Sequence, residues 1–252
     1  MSPSTNMSVD FFGRFFRRQQ NFMCTNLAKE NIVIVFDLDG TLVDTAKTTN
    51  RVLSNMLDAR VGNHKPLPPI AHLLSQGGET LIKTALGSFA NEINEDLLEF
   101  RERLLRVQVP ATDVYFGVKQ LLQMLKNEGS VLAVCTNKPQ RLAEKTLVDV
   151  GLRSLFSCIV GSTEPVAKKP DIAMLTNIKE MIGCETSNLI FVGDSEVDQE
   201  TAHNASVPYI HFSHGYGCLR SDISQPIQIF EEIDETALMY FSRLTPGVVN
   251  LI

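Results

Sequence analysis

The run Ile32-Val33-Ile34-Val35-Phe36-Asp37-Leu38-Asp39-Gly40-Thr41-Leu42-Val43-Asp44 constrains the fold more than any other part of the 252-residue chain. Its five leading apolar residues read as a strand buried on both faces, the signature of a parallel sheet covered by helices. The strand delivers Asp37 and Asp39 to its carboxyl end, and Gly40 permits a sharp turn that a side chain would obstruct. In an open α/β sheet the ligand crevice lies outside the carboxyl ends of the strands. Residues i and i+2 of an extended segment face the same way, so the two carboxylates are expected side by side. Their mutual repulsion is relieved when a cation sits between them. Asp and Gly also form ordinary turns, but Asp-x-Asp-Gly-Thr directly after an apolar run points to a hard metal and acid-assisted chemistry.

After Thr45 strand-like runs stop for about seventy residues. Residues 50–58, 79–89 and 94–105 carry apolar side chains at helical spacing, with a breaker cluster at 62–69 between the first two. This segment, 46–112, reads as a helical insertion, or cap, between the first strand and the remaining core, 31–45 plus 113–252. From Gly117 strand and helix alternate: helix 118–128, strand 131–135, helix 139–150, strand 158–161, helix 170–182 begun by Pro170, strand 188–192, helix 196–205, strand 209–212, a weaker strand 227–230 and helix 231–244. Such alternation predicts an α/β fold, a doubly wound, mainly parallel Rossmann-like sheet with helices on both faces.

The chemistry-bearing residues fall at strand ends. Thr136-Asn137-Lys138-Pro139 follows the second strand; a hydroxyl and free N–H groups at a helix start suit an anion, and equally suit plain N-capping. Lys168-Lys169-Pro170-Asp171 reads as solvated loop unless Lys169 is held at the sheet mouth, where it would neutralise phosphate charge. Gly193-Asp194-Ser195-Glu196-Val197-Asp198 delivers a third acid; Asp194 or Ser195 could cap the next helix with Asp198 in its first turn. His214-Gly215-Tyr216-Gly217 borders the last core strand and reads most simply as a turn.

Composition narrows the classes. A net charge of −6 and the lack of a Lys/Arg run exclude a nucleic-acid track. The five cysteines are scattered with no Cys-x-x-Cys pair, which fits reduced thiols in the cytoplasm. No apolar run approaches the roughly 18 residues of a membrane span. Residues 1–30 differ: Phe11-Phe12-Gly13-Arg14-Phe15-Phe16-Arg17-Arg18 is aromatic and basic. It fits a membrane-surface helix or organellar presequence, or more simply a flexible extension, with Met1, Met7 and Met23 all serviceable starts.

Taken together, the acids, the threonine, the lysine and the third acid resemble, in order, the four motifs of the haloacid dehalogenase (HAD) superfamily over residues 31 to about 217. The resemblance implies a phosphatase with Asp37 as nucleophile and Asp39 as general acid and base, within a motif completed by Gly40 and Thr41. It implies Mg²⁺ on Asp37, the Asp39 carbonyl and Asp194, with Thr136, Asn137 and Lys169 on the phosphoryl oxygens. Ser195 and Asp198 would support them, Asp198 by orienting Lys169 or a metal-bound water. Dehalogenase members lack the second Asp, so Asp39 favours phosphoester chemistry. Residues 115–118 and 133–139 resemble phosphoglycolate phosphatases, although Phe116 and Ile172 stand where that group has Pro. In the cap, Gln76, Gly77 and Gly78 resemble a substrate loop whose N–H groups could hold a carboxylate, or form a plain turn into a helix. The expected partner is a small phosphorylated metabolite, acted on by a monomer or homodimer. A phosphosugar mutase would need a basic cluster for a bisphosphate, which the cap sequence does not display; a catalytically silent binding protein is the non-enzymatic alternative.

Overall fold

The computed structural model describes residues 32–62, 66–74 and 78–244. The expected N-terminal extension, Gln76 and Gly77 therefore lie outside the described residues. Strand β1 (Val33–Phe36) is fully buried, as its composition requires. It lies at the centre of a six-stranded parallel sheet ordered β3-β2-β1-β4-β5-β6, with β2 at Val131–Pro139, β3 at Cys158–Ser162, β4 at Leu189–Gly193, β5 at Tyr209–Phe212 and β6 at Gln228–Phe230. Val33 pairs with Val131 on one side and Leu189 on the other. The chain reverses its direction of travel across the sheet between β1 and β4, the place where doubly wound sheets open a crevice.

Strand alternation divides the apolar side chains between two layers. Ile34 and Phe36 join one buried cluster with α4 (Val118–Asn127), part of α5 (Gln140–Asp149) and α8 (Glu235–Leu244). Val33 and Val35 join a second with α6 (Ala173–Ile182) and α7 (Glu196–Ala205). Between β1 and β2 stand α1 (Ala46–Val61), α2 (Gly78–Leu86) and α3 (Ile93–Arg106), which surround a third cluster of their own, joined by Leu142 of α5.

Two boundaries differ instructively from the sequence reading. Strand β2 continues through Pro139, so Thr136 and Asn137 belong to the strand rather than to a helix cap. Pro170 does not open a helix. It lies in a turn closed by the Asp171 amide on the Lys168 carbonyl (2.9 Å), and Asp171 Oδ1 then accepts the amide of Ala173, where α6 begins. A side-chain acceptor one residue past the proline, bonded to the amide that opens the helix, outweighs proline's own preference for the first helical position.

Candidate active site

Four strand ends converge on one mouth. Asp37 follows β1 directly, and its amide donates to the Val192 carbonyl of β4 (2.8 Å), tying the two central strand ends together. Asp194 follows β4 and is 1% exposed. Its Oδ1 accepts from Thr41 Oγ1 (2.7 Å) and its Oδ2 from the Tyr216 amide (2.8 Å). Ser195 and Asp198 form a capping box at the start of α7. Asp198 also receives Lys169 Nζ on Oδ1 (2.6 Å), while its Oδ2 accepts from the Asp194 amide, the Ser195 amide and Ser195 Oγ. The capping role and the site role thus coincide in one residue, one carboxylate oxygen serving each.

Lys169 is not a solvated loop residue. Its side chain is 3% exposed and its ammonium lies 2.8 Å from Asp37 Oδ1. Asn137 clamps its backbone from β2: Nδ2 donates to the Lys169 carbonyl (3.0 Å) and Oδ1 accepts the Lys169 amide (2.9 Å). Thr136, 1% exposed, lines the same small recess as Asp37, Asp39 and Lys169.

The Asp37 and Asp39 carboxylates meet different lysines rather than lying side by side. The strand ends at Phe36 and a tight turn follows, so the alternation of an extended chain stops applying. Asp37 faces Lys169. Asp39 meets Lys138 Nζ at 2.8 and 3.1 Å and accepts from Thr45 Oγ1 at 2.6 Å. Lys138 and Thr45 were missed by the sequence reading, because nothing local distinguishes them from surface residues.

Burial pushes the Asp37 carboxyl up to about 7 against the pull of Lys169, with Asp198 and Asp39 adding repulsion. Burial also raises Asp194 well above the usual carboxylate range, helped by Asp198 and Asp37. Lys169 would be depressed by burial but is carried above its usual range by Asp198 and Asp37, so it remains charged. Oxygens of Asp37, Asp194 and Asp198 lie within 4.8 Å of one another, all buried. Three carboxyls crowded around one lysine in a low-dielectric site fit a divalent cation held by oxygen ligands, which would favour their ionised forms. Asp37, Asp194 and Asp198 are the carboxylates that lie close enough together to hold it.

The loop at 214–217 is more than a turn. The Tyr216 amide holds Asp194, and its phenol donates to Asp44 Oδ1 (2.8 Å) while accepting the Ala46 amide (3.0 Å) at the start of α1. Gly40 (φ +89°) and Gly215 flank Asp194 so closely that a Cβ on either would fall 2.3 or 2.2 Å from Asp194 Oδ2. Gly78 lies at the start of α2 and lines a larger cavity of about 480 Å³ between the helical segment and the sheet mouth. Phe116 and Ile172, the two departures, are 84% and 42% exposed and line neither space.

Residues 34–212 match the haloacid dehalogenase-like hydrolase family. The chain belongs to this family. A phosphoglycolate phosphatase of Rhodobacter capsulatus is 30% identical over 73% of this chain and 84% of its own. One from Agrobacterium fabrum is 35% identical over 85% of this chain and 91% of its own. The crystal structure of a predicted phosphoglycolate phosphatase from Haemophilus somnus superposes with a TM-score of 0.71 at 25% identity, covering 84% of this chain and 99% of that one. The chain is an HAD enzyme, a phosphatase similar to the phosphoglycolate phosphatases. No helix among the described residues is long and apolar enough to cross a membrane.

Proposed function

We propose that this HAD phosphatase hydrolyses a small phosphomonoester with Mg²⁺, through an aspartyl phosphate on Asp37, and that 2-phosphoglycolate is its substrate. The observation that carries the reading is the buried Asp37 carboxylate held 2.8 Å from Lys169 beside an independently anchored Asp39. The names of the relatives point to the same substrate.

Asp37 attacks phosphorus, forming a carboxylate–phosphorus bond as the ester bond breaks, and Asp39 gives its proton to the departing oxygen. Asp39 then takes a proton from water as that water attacks phosphorus, releasing phosphate and restoring Asp37. Splitting the displacement this way replaces one difficult step with two easier ones. Thr136 and Lys169 contact the remaining phosphoryl oxygens, and Asn137, by gripping the Lys169 backbone, fixes where that charge lies. Asp37, Asp194 and the Asp39 carbonyl would hold Mg²⁺, which would supply charge neutralisation for the phosphoryl group. Among the described residues Cys135, Cys184 and Cys218 are free thiols, which supports a reducing compartment, the cytoplasm.

The test is a kcat/KM panel of phosphoglycolate, mononucleotides, hexose phosphates and p-nitrophenyl phosphate with Mg²⁺, for the parent and D37N. The variant should lose about a thousandfold or more in kcat on every substrate. Survival of p-nitrophenyl phosphate turnover in D37N rejects the nucleophile, and a low rank for phosphoglycolate rejects that substrate while leaving the phosphatase.

A further inference from the structure

The cavity of about 480 Å³ carries a charge pattern that the phosphoryl chemistry does not use. Its charged lining comprises Arg101, Lys138, Lys168 and Lys169 against Asp39 and Glu79, four cations to two acids in a chain of net charge −6. Lys169 is committed to Asp37 and Asp198, and Lys138 to Asp39. Arg101 and Lys168 remain, one on α3 and one on the loop before Lys169, and both are solvent-accessible without an ion pair among the described residues.

The placement of Arg101 is unusual for its helix. Arg103 and Arg106 of α3 each pair with a glutamate four residues earlier, Glu99 at 2.7 Å and Glu102 at 3.9 Å. Four residues before Arg101 stands Leu97. Leu97, Phe100, Arg101 and Leu104 fall at i, i+3, i+4 and i+7, one helical face, and all line the cavity. Arg101 is therefore a guanidinium set into an otherwise apolar stripe that looks towards the core lysines. The absence of a basic cluster within the cap sequence is thus misleading: the cationic cluster forms only when α3 is brought over the sheet mouth.

We infer that Arg101 and Lys168 form a second anion subsite that holds the carboxylate of the substrate while its phosphoryl group lies against Asp37. A guanidinium offers a planar fork matched to a carboxylate, and Lys168 adds a point charge. Glu79, also on the lining, pairs with Lys83 at 3.8 Å, so the choice of a carboxylate over a second phosphoryl group rests on the match of the planar fork to two carboxylate oxygens. This deepens the proposed function by naming the two side chains that select a phosphorylated carboxylic acid, and it rests on that reading.

The experiment measures binding, so that it does not depend on turnover. Isothermal titration of the full chain with Mg²⁺ uses three probes: ethylphosphonate, 3-phosphonopropionate and ethane-1,2-bisphosphonate. The parent should bind 3-phosphonopropionate about tenfold or more tightly than ethylphosphonate, and more tightly than the bisphosphonate. R101Q and K168Q should each abolish most of that preference, and R101K should restore part of it. No preference in the parent, or equal losses for ethylphosphonate and 3-phosphonopropionate in both variants, overturns the subsite. A bisphosphonate bound most tightly overturns the carboxylate and assigns the cations to a second phosphoryl group. Turnover of p-nitrophenyl phosphate in the same parent sample reports separately on the phosphatase reading, which falls if turnover is nil even while the carboxylate preference stands.

Discussion

Asp194 shows how much one side chain in this site depends on neighbours with no side chain at all. Its two oxygens take hydrogen bonds from Thr41 and from the Tyr216 amide, and Gly40 and Gly215 close over it. An added methyl at Gly215 would lie 2.2 Å from Oδ2 and 2.3 Å from the Asp194 Cβ, so the carboxylate must move. G215A is expected to raise the Mg²⁺ concentration for half-maximal activity about tenfold, because ligand orientation sets metal affinity. A Mg²⁺ titration of activity checks this, and an unchanged midpoint would remove Gly215 from the site. Gly40 was legible from its place after Asp39 in the chain. Gly215 was not, since the close approach involves residues 21 positions apart and leaves no local mark.

At the scale of elements, α3 carries two separate electrostatic systems. Arg60 of α1 meets Asp96 at 2.6 Å and Glu99 at 2.9 Å, with Asp96 only 1% exposed, and this pins α1 to α3. Arg101 points elsewhere, into the cavity. The hydrogen bonds from Arg60 hold the Asp96 carboxyl below its usual range. A depressed folded value means the stabilisation is fully present above the unfolded pKa of about 4 and is lost as pH falls through the folded value. D96N should therefore cost about 2 kcal/mol near neutrality, or about 4–8 °C in Tm for a chain of this size. The gap to the parent should narrow below about pH 4. Thermal unfolding followed by circular dichroism between pH 2.5 and 8 checks this, and a gap constant across the range would refute it. The helical character of residues 46–106 was readable from apolar spacing, whereas the Arg60–Asp96 pairing, 36 positions apart, was not.

For the whole molecule, the dominant electrostatic fact is an uncompensated acidic cluster at the centre of the sheet. Asp37, Asp194 and Asp198 crowd three buried carboxyls around the single ammonium of Lys169. A divalent cation that binds only the folded state should stabilise it by about 2.7 kcal/mol at a hundred times its Kd. That corresponds to a rise of about 5–10 °C in Tm. In D194N the same Mg²⁺ addition should produce a rise of under about 2 °C, while its Tm in EDTA should match or exceed that of the parent, since one repelling charge is gone. Differential scanning calorimetry with and without Mg²⁺ decides the matter; an equal rise in both proteins would place the ion elsewhere.

By itself the sequence determined the class of fold and which acids follow the central strands. A doubly buried strand can only be central, and the alternation after Gly117 can only be accommodated by a parallel, two-faced sheet. These are local signals, set by periodicity and turn chemistry over a few residues. Tertiary structure alone decided which cation faces which acid, Lys169 on Asp37 and Lys138 on Asp39, and made the Asn137 clamp, the Tyr216 brace and the cavity whose lining includes both Arg101 and Lys168. Each of these joins residues far apart in the chain, and Coulomb forces and close packing act on distance in space, which a linear pattern does not record.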